Sequence, residues 1–189
     1  YGLAVRRARL AMIDLRTGRK MSPCPDCDVL TGSLAWAPDR DDLLAFVRKD
    51  GAPWTEGRLL RIDTDRGAAA PVRTDVAPAF EWRPERIFAG WWRGDPILFG
   101  RRVGDPRDDW FRLSDGGALR LTGNLPAVSG ENIVVGDQWL LASAQGSIWR
   151  IGPAGDATRM ASDGIRPFEP HYDNVPPLPK RPADLMPFD

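Results

Sequence analysis

Few side chains in this sequence have the types and spacing that chemistry needs. The single histidine, His171, sits in Glu169-Pro-His-Tyr-Asp173, among Pro167, Pro170, Pro176, Pro177, Pro179, Pro182 and Pro187. No helix or packed strand could hold it there against a nucleophile, so it reads as an exposed tail side chain. Cys24 and Cys27 form the one C-x-x-C, with Pro25 and Asp26 between them and Pro23 in front. No strand-then-helix pattern frames it as a redox motif, and His171 cannot supply the two further ligands that zinc needs. Inert thiols, a tight disulfide in an exported protein, and metal or redox chemistry all stay open. Asp39, Asp41 and Asp42 are close enough to suggest calcium, but Leu43 follows directly and the spacing of an EF-hand is missing, so a solvated turn is expected. Gly116-Gly117 and the stretch Gly152 to Gly155 lack the strand-then-helix setting of a phosphate cradle and read as hairpin turns. Acidic residues are too many for sequence to select a glycosidase pair. No catalytic residue, cofactor or metal is assigned.

The elements that would position such residues follow from composition and periodicity. The chain has 189 residues with 26 basic and 26 acidic side chains, and only Lys20, Lys49 and Lys180 are lysines. Balanced charge argues against a nucleic-acid partner. No window of about 18 apolar residues exists, so no membrane span is expected. With 42% hydrophobic residues and eight Trp the chain can bury a core, while 19 Gly and 18 Pro interrupt it too often for long helices. It begins with Tyr1 and shows no charged-then-apolar leader, which fits a removed leader or an excerpt of a longer chain.

Internal similarity is the strongest signal. Leu34-Ala-Trp-Ala-Pro-Asp39, Leu44 to Arg48, Arg58 to Asp63 and Pro71 to Thr74 read as four short strands divided by turn residues. A further unit runs through Ala79 to Pro84, Ile97 to Arg101, Trp110 to Asp115 and Gly117 to Thr122. A degenerate one runs from Val128 through Trp139 to Ser143 and Ser147 to Ile151, ending at Met160. Leu3 to Arg7 and Arg9 to Asp14, with a turn at Thr17-Gly18, match the template from its second strand onward. Apolar residues alternate or form short runs, and none sustains a helical stripe. The expected fold is all-β: a β-propeller of four-stranded antiparallel blades over residues 1–163, the first blade incomplete, with 164–189 as a Pro-rich connector or tail. Trp36 and Trp82 are expected to be buried between blades, and Trp110 and Trp149 to pack in the core. The ring is expected to be open, as part of a larger one.

Trp36-Ala-Pro38-Asp39, then Leu44-Ala-Phe46-Val47, then Ile62-Asp63 with Gly67 resemble the repeat of TolB-type propellers, which also builds the N-terminal propeller of the prolyl oligopeptidase family of serine peptidases. The match is specific over about 35 residues, and it departs at Ala37, Arg83 and Arg40. The resemblance implies a ring of six to eight blades. It also implies a choice of two functions. One is a non-catalytic propeller that gates and positions peptide substrates for a serine peptidase, whose α/β-hydrolase domain lies elsewhere, since no G-x-S-x-G nucleophile elbow occurs here. The other is a TolB-like exported scaffold that binds proteins, and a periplasmic or secreted location is preferred over the cytoplasm.

The candidate contact residues for a peptide substrate or protein partner are Trp91, Trp92 and Arg93, with Trp54 second. Adjacent Trp residues in a strand face opposite ways, so one of Trp91 and Trp92 is expected at the surface beside Arg93, the composition of a hot spot. Trp54 lies in a loop without an evident core partner. Arg101 and Arg102 are expected to pair with Asp105, Asp108 or Asp109.

Overall fold

The computed structural model describes residues 7–82, 85–131 and 133–161. Short apolar runs between turn residues give strands throughout, and the helical elements among the described residues are two three-residue 3-10 turns, Thr31–Ser33 and Trp54–Glu56. The chain is all-β. A hairpin of β1 (Met12–Ile13) and β2 (Lys20–Met21) comes first. The first large sheet holds β3 (Cys27–Val29), β4 (Ala35–Trp36), β5 (Asp42–Lys49), β6 (Arg58–Asp63) and β7 (Ala68–Pro71). The second holds β8 (Val76–Pro78), then, after a separate hairpin of β9 (Phe80–Trp82) and β10 (Glu85–Ile87), β11 (Ala89–Trp92), β12 (Asp95–Arg102), β13 (Asp109–Ser114) and β14 (Gly117–Arg120). The third is a meander of β15 (Ile133–Val135), β16 (Leu140–Ala144), β17 (Ser147–Ile151) and β18 (Ala157–Ala161). All pairings are antiparallel.

The sheets pack face to face in chain order. Leu44, Phe46 and Leu59 of the first meet Trp91, Leu98, Phe111 and Leu113 of the second. Ile97, Phe99 and Trp110 on the second sheet's other side meet Leu140, Ala142 and Ile151 of the third. A strand with apolar residues in succession can therefore bury both faces, which is why β5 and β12 read as runs rather than alternations. Leu10 and Met12 cover Leu43, Ala45 and Val47 on the outer face of the first sheet.

The first strand of each of the two larger sheets is broken at the same point. β3 pairs with the end of β5 and β4 with its start. Between them the Phe46 carbonyl accepts the Leu30 N–H (2.9 Å), and the Phe46 N–H donates to Ser33 Oγ (2.7 Å). In the second sheet β8 and β11 divide β12 in the same way. There the Phe99 carbonyl accepts from Ala79 (3.0 Å), and the Phe99 N–H donates to the Phe88 carbonyl (2.9 Å). The buried phenylalanine meets its backbone hydrogen-bonding obligation across the gap in both sheets.

That arrangement corrects the repeat in the sequence. β5 and β12 both begin on Asp, and Trp36 pairs with Leu43 as Trp91 pairs with Pro96. Trp91, not Trp82, is the counterpart of Trp36; the Phe80–Trp82 strand pairs with Glu85–Ile87 in its own hairpin. Trp36 is 64% exposed, so its expected burial fails. It shares a face with Leu43, and the covering Leu10 and Met12 do not extend over it. The fourth strand of the first sheet is Ala68–Pro71 rather than 71–74, and Cys27–Val29 is a strand that the sequence did not signal. The side chain of Trp82, residues 1–6 of the strand expected at the start of the chain, His171 and the connector expected at 164–189 lie outside the described residues.

Asp28 helps tie the start of the described chain to the first sheet. Asp28 Oδ1 accepts the Ala8 N–H (2.9 Å), and its Oδ2 accepts both Nε (3.1 Å) and Nη2 (2.7 Å) of Arg48. Burial pushes the Asp28 carboxyl up, but the Arg48 fork, the Ala8 N–H and the charge of Arg9 outweigh it and hold the group below its ordinary value. A depressed carboxylate contributes stability above its unfolded value of about 3.9, and that contribution is lost as pH falls through the lower folded value. Asp28→Asn should flatten the acid limb of the stability profile below about pH 4, as read by urea melts at successive pH values. A limb unchanged from wild type would contradict the assignment. Gly100 allows β8 to approach β12, since a Cβ there would meet the Ala77 carbonyl oxygen. Gly100→Ala should cost about 1 to 3 kcal/mol in denaturant unfolding, because it is backbone that must move.

Candidate functional site

The sequence Ala89-Gly-Trp-Trp92 forms a strand because Arg93-Gly94 closes it against β12 in a two-residue turn with φ of 53° and 79°, both left-handed. That is the type I′ pattern, whose twist matches the flanking strands and which normally takes Asn or Gly at its first position. Arg93 holds the position while its Nη1 donates to Gln138 Oε1 (3.0 Å). A β-branched residue would fit worse.

The turn sends Trp91 and Trp92 to opposite faces, as expected, but both side chains are buried, at 5% and 1% exposure. The expected exposure of one of them is corrected: each face of this strand meets another sheet. Trp91 Nε1 donates to the Ala35 carbonyl in the first sheet (2.9 Å), and Trp92 Nε1 donates to the Gly136 carbonyl beside the third (2.9 Å). Each indole thus satisfies its one donor while burying a large apolar surface.

A charged lid lies over Trp91. Asp42 Oδ2 accepts from Nη2 (2.6 Å) and Nε (3.0 Å) of Arg61 and is 3.0 Å from Arg40 Nε. Both guanidinium groups stack on the Trp91 ring, with their central carbons 4.8 Å and 5.8 Å from its centroid. Donating to the Asp42 carboxylate raises the Arg61 pKa above its ordinary value. Asp42, expected in a solvated turn, is buried at the start of β5 because it must meet these two arginines. Arg40 passes over Gly94, where its Nη2 would lie 3.4 Å from an added Cβ.

Trp54 is half-buried and has core partners that the sequence did not indicate. Its ring is 6.2 Å from that of Phe46, and the Arg48 guanidinium lies 4.0 Å above it. It sits at the far end of β5 from the Arg93 turn, so the structure does not bring the candidates into one cluster. Arg101 pairs with Asp108 (2.7 Å), while Arg102 meets Asp75 (3.0 Å) and donates its backbone N–H to Asp105 Oδ2 (3.0 Å). Trp110 is buried, and half-buried Trp149 packs against the same core. Cys24 and Cys27 are joined in a disulfide with Cα atoms 5.4 Å apart.

Beside the Trp pair, the first strands of the second and third sheets leave a cavity of about 460 Å³ that reaches Gly32 of the first. Ile87, Ala89, Ile97, Trp110, Ile133 and Val135 give it apolar surface, and Glu131 adds a carboxylate to the lining. Trp110 Nε1 is buried without a hydrogen-bond partner among the described residues. Sequence reasoning missed this place. The usable signal was Gly90, a glycine inside a strand, which marks open space or a close approach of backbone.

No protein-family model matches the sequence, and no curated protein matches it. Among solved structures, TolB from Acinetobacter baumannii aligns at 17% identity over 82% of this chain and 38% of that one, with a TM-score of 0.47. The chain thus spans well under half of that protein's length.

Trp92→Ala should cost about 3 to 5 kcal/mol in thermal or urea unfolding, as for other fully buried aromatic truncations. Trp92→Phe should cost about 1 to 3 kcal/mol, largely from the unpaired Gly136 carbonyl. Equal losses for the two would mean that the hydrogen bond contributes most of the tie; no loss for either would remove Trp92 from the core.

Proposed function

We propose that this chain is the non-catalytic arc of a β-propeller and holds an extended peptide segment at the cavity along its first strands. The observation that carries this reading is the cavity itself. Its walls are the first strands of consecutive face-to-face sheets, and it combines apolar side chains and the Glu131 carboxylate with backbone edges that can hydrogen-bond a peptide. In a protein of the prolyl oligopeptidase type the segment is a substrate, gated and positioned for a hydrolase domain outside these residues. Trp91 and Trp92 then act by fixing the wall, and Arg93 and Trp54 are the nearest approach of the candidate residues to solvent at the two ends of the strands.

A second reading, a TolB-like exported scaffold that binds a protein segment without hydrolysing it, is favoured by one feature. The Cys24–Cys27 disulfide persists in oxidising compartments, which supports a periplasmic or secreted protein.

Gly90→Val tests the cavity. A Cβ there meets only Ile97, at 3.7 Å, so the larger side chain can point into the open space without moving backbone. Fluorescein-labelled peptides of about six to twelve residues are titrated against both proteins by anisotropy. Wild type is expected to bind a subset, and the variant to bind it at least about tenfold more weakly with an unchanged melting temperature. Equal binding by both proteins, or none by wild type, would sink the proposal. Hydrolysis of the bound peptides only when a hydrolase domain is joined to the chain would select the gating reading over the scaffold.

A further inference from the structure

Three glycines face the cavity from separate segments: Gly32 in the first 3-10 turn, Gly90 in β11 and Gly130 ahead of β15. Where no side chain stands, another main chain can come close. Register pairs Gly90 with Ile97 and Trp110 with Phe99, so Gly90, Ile97 and Trp110 share one face of the second sheet, the face that meets the third. Trp110 is 3% exposed, and it differs from the other two buried indoles of that sheet. Trp91 and Trp92 each give their N–H to a main-chain carbonyl, whereas Trp110 Nε1 has no acceptor among the described residues. A buried donor without an acceptor is costly, so a ligand that brings one gains affinity from it. At the other extreme of the same lining is Glu131, which is exposed and so marks the mouth. It is the one charged side chain among the described residues that line the cavity.

We infer that the segment held at this cavity carries a basic residue between small ones. The basic side chain brings its charge to Glu131, and a neighbouring main-chain carbonyl accepts the Trp110 indole N–H. This rests on the peptide reading above and narrows it to one class of peptide. A Lys or Arg side chain suits the lining because it has an apolar stem and a charged tip. The stem lies along Ile97 and Ile133 while the tip stays at the exposed carboxylate. A carboxylate accepts at two oxygens from several donors, so the incoming cation does not displace the interaction that Glu131 already has. An acidic side chain would meet Glu131 with like charge and find no Lys or Arg among the described lining residues. An uncharged one would forgo the ion pair. Small neighbours on either side follow from the three glycines, which admit main chain to the depth of Trp110 only if the segment itself is slim.

The test uses the full chain and three heptapeptides, Gly-Ala-Gly-X-Gly-Ala-Gly, with X as Lys, Gln or Glu. Each carries fluorescein on its N-terminus and an amide at its C-terminus, so the Lys side chain is the sole peptide cation. By anisotropy, wild type should bind the Lys peptide at least about tenfold more tightly than the Gln peptide, with the Glu peptide weakest. In Glu131→Gln the three affinities should converge, with an unchanged melting temperature because Glu131 is exposed. Trp110→Phe keeps a ring in the core but removes the donor, and it should weaken all three peptides by a common factor of about three to ten. In a nitrogen-15 spectrum of wild type, the Trp110 indole signal should shift as the Lys peptide is added, a readout that does not depend on how the variant folds. Equal affinities of wild type for the three peptides, a Lys preference that survives Glu131→Gln, or an unmoved indole signal would overturn the inference and leave the peptide reading standing. Absence of binding by every peptide up to about 1 mM would overturn both.

Discussion

Two adjacent tryptophans on one short strand, each handing its indole N–H to a carbonyl of a different neighbouring sheet, set the geometry of the molecule. A small antiparallel sheet that is apolar on both faces cannot be stable alone, and the middle sheet here is such a sheet. Burying Trp91 and Trp92 requires an acceptor for each N–H, since a buried donor without one costs about as much as the bond would have contributed. Ala35 and Gly136 supply those acceptors, and doing so fixes the spacing of all three sheets at one end. The Arg93-Gly94 turn, the Asp42 lid over Trp91 and the cavity beside Gly90 all take their positions from that constraint.

Charge is organised around the same frame. Asp42 with Arg61 on the first sheet and Asp95 with Arg112 on the second are cross-strand pairs at matching positions, the first at 2.6 Å and the second at 3.6 Å. At the other end Asp109, fully buried, receives the Thr122 hydroxyl at 2.8 Å and lies near Arg107 and Arg120. Arginine and aspartate thus pair across neighbouring strands, and such pairs fix register more than they add to stability.

The strands that carry period and length were legible. β5, β6, β12, β13, β16 and β17 follow apolar runs bounded by Gly, Pro, Asp and Asn, and their order follows from the spacing. What was not legible depended on partners far away in sequence. The Trp-x-Pro at Trp82 copies the letters around Trp36, but register against β12 places Trp91 there instead, and register is a property of the pair. Exposure at Trp36, burial of Trp92 and the stacking of Arg48 on Trp54 are likewise decided by which sheet lies opposite. The cavity left only Gly90 as a trace, because empty space has no residue type.

The paired gaps in the first strands carry an evolutionary consequence. At one gap the chain spends a single 3-10 turn, and at the other it inserts a hairpin, yet Phe46 and Phe99 each use both backbone groups to close it, Phe46 donating to Ser33 Oγ and Phe99 to the Phe88 carbonyl. The gap is therefore a port at which chain length can change while the sheet behind it keeps its pairing. Chain length can change there only where Leu30, Ser33 and Ile87 are kept, because Ser33 Oγ holds the Phe46 N–H and Leu30 and Ile87 belong to the core between the first two sheets.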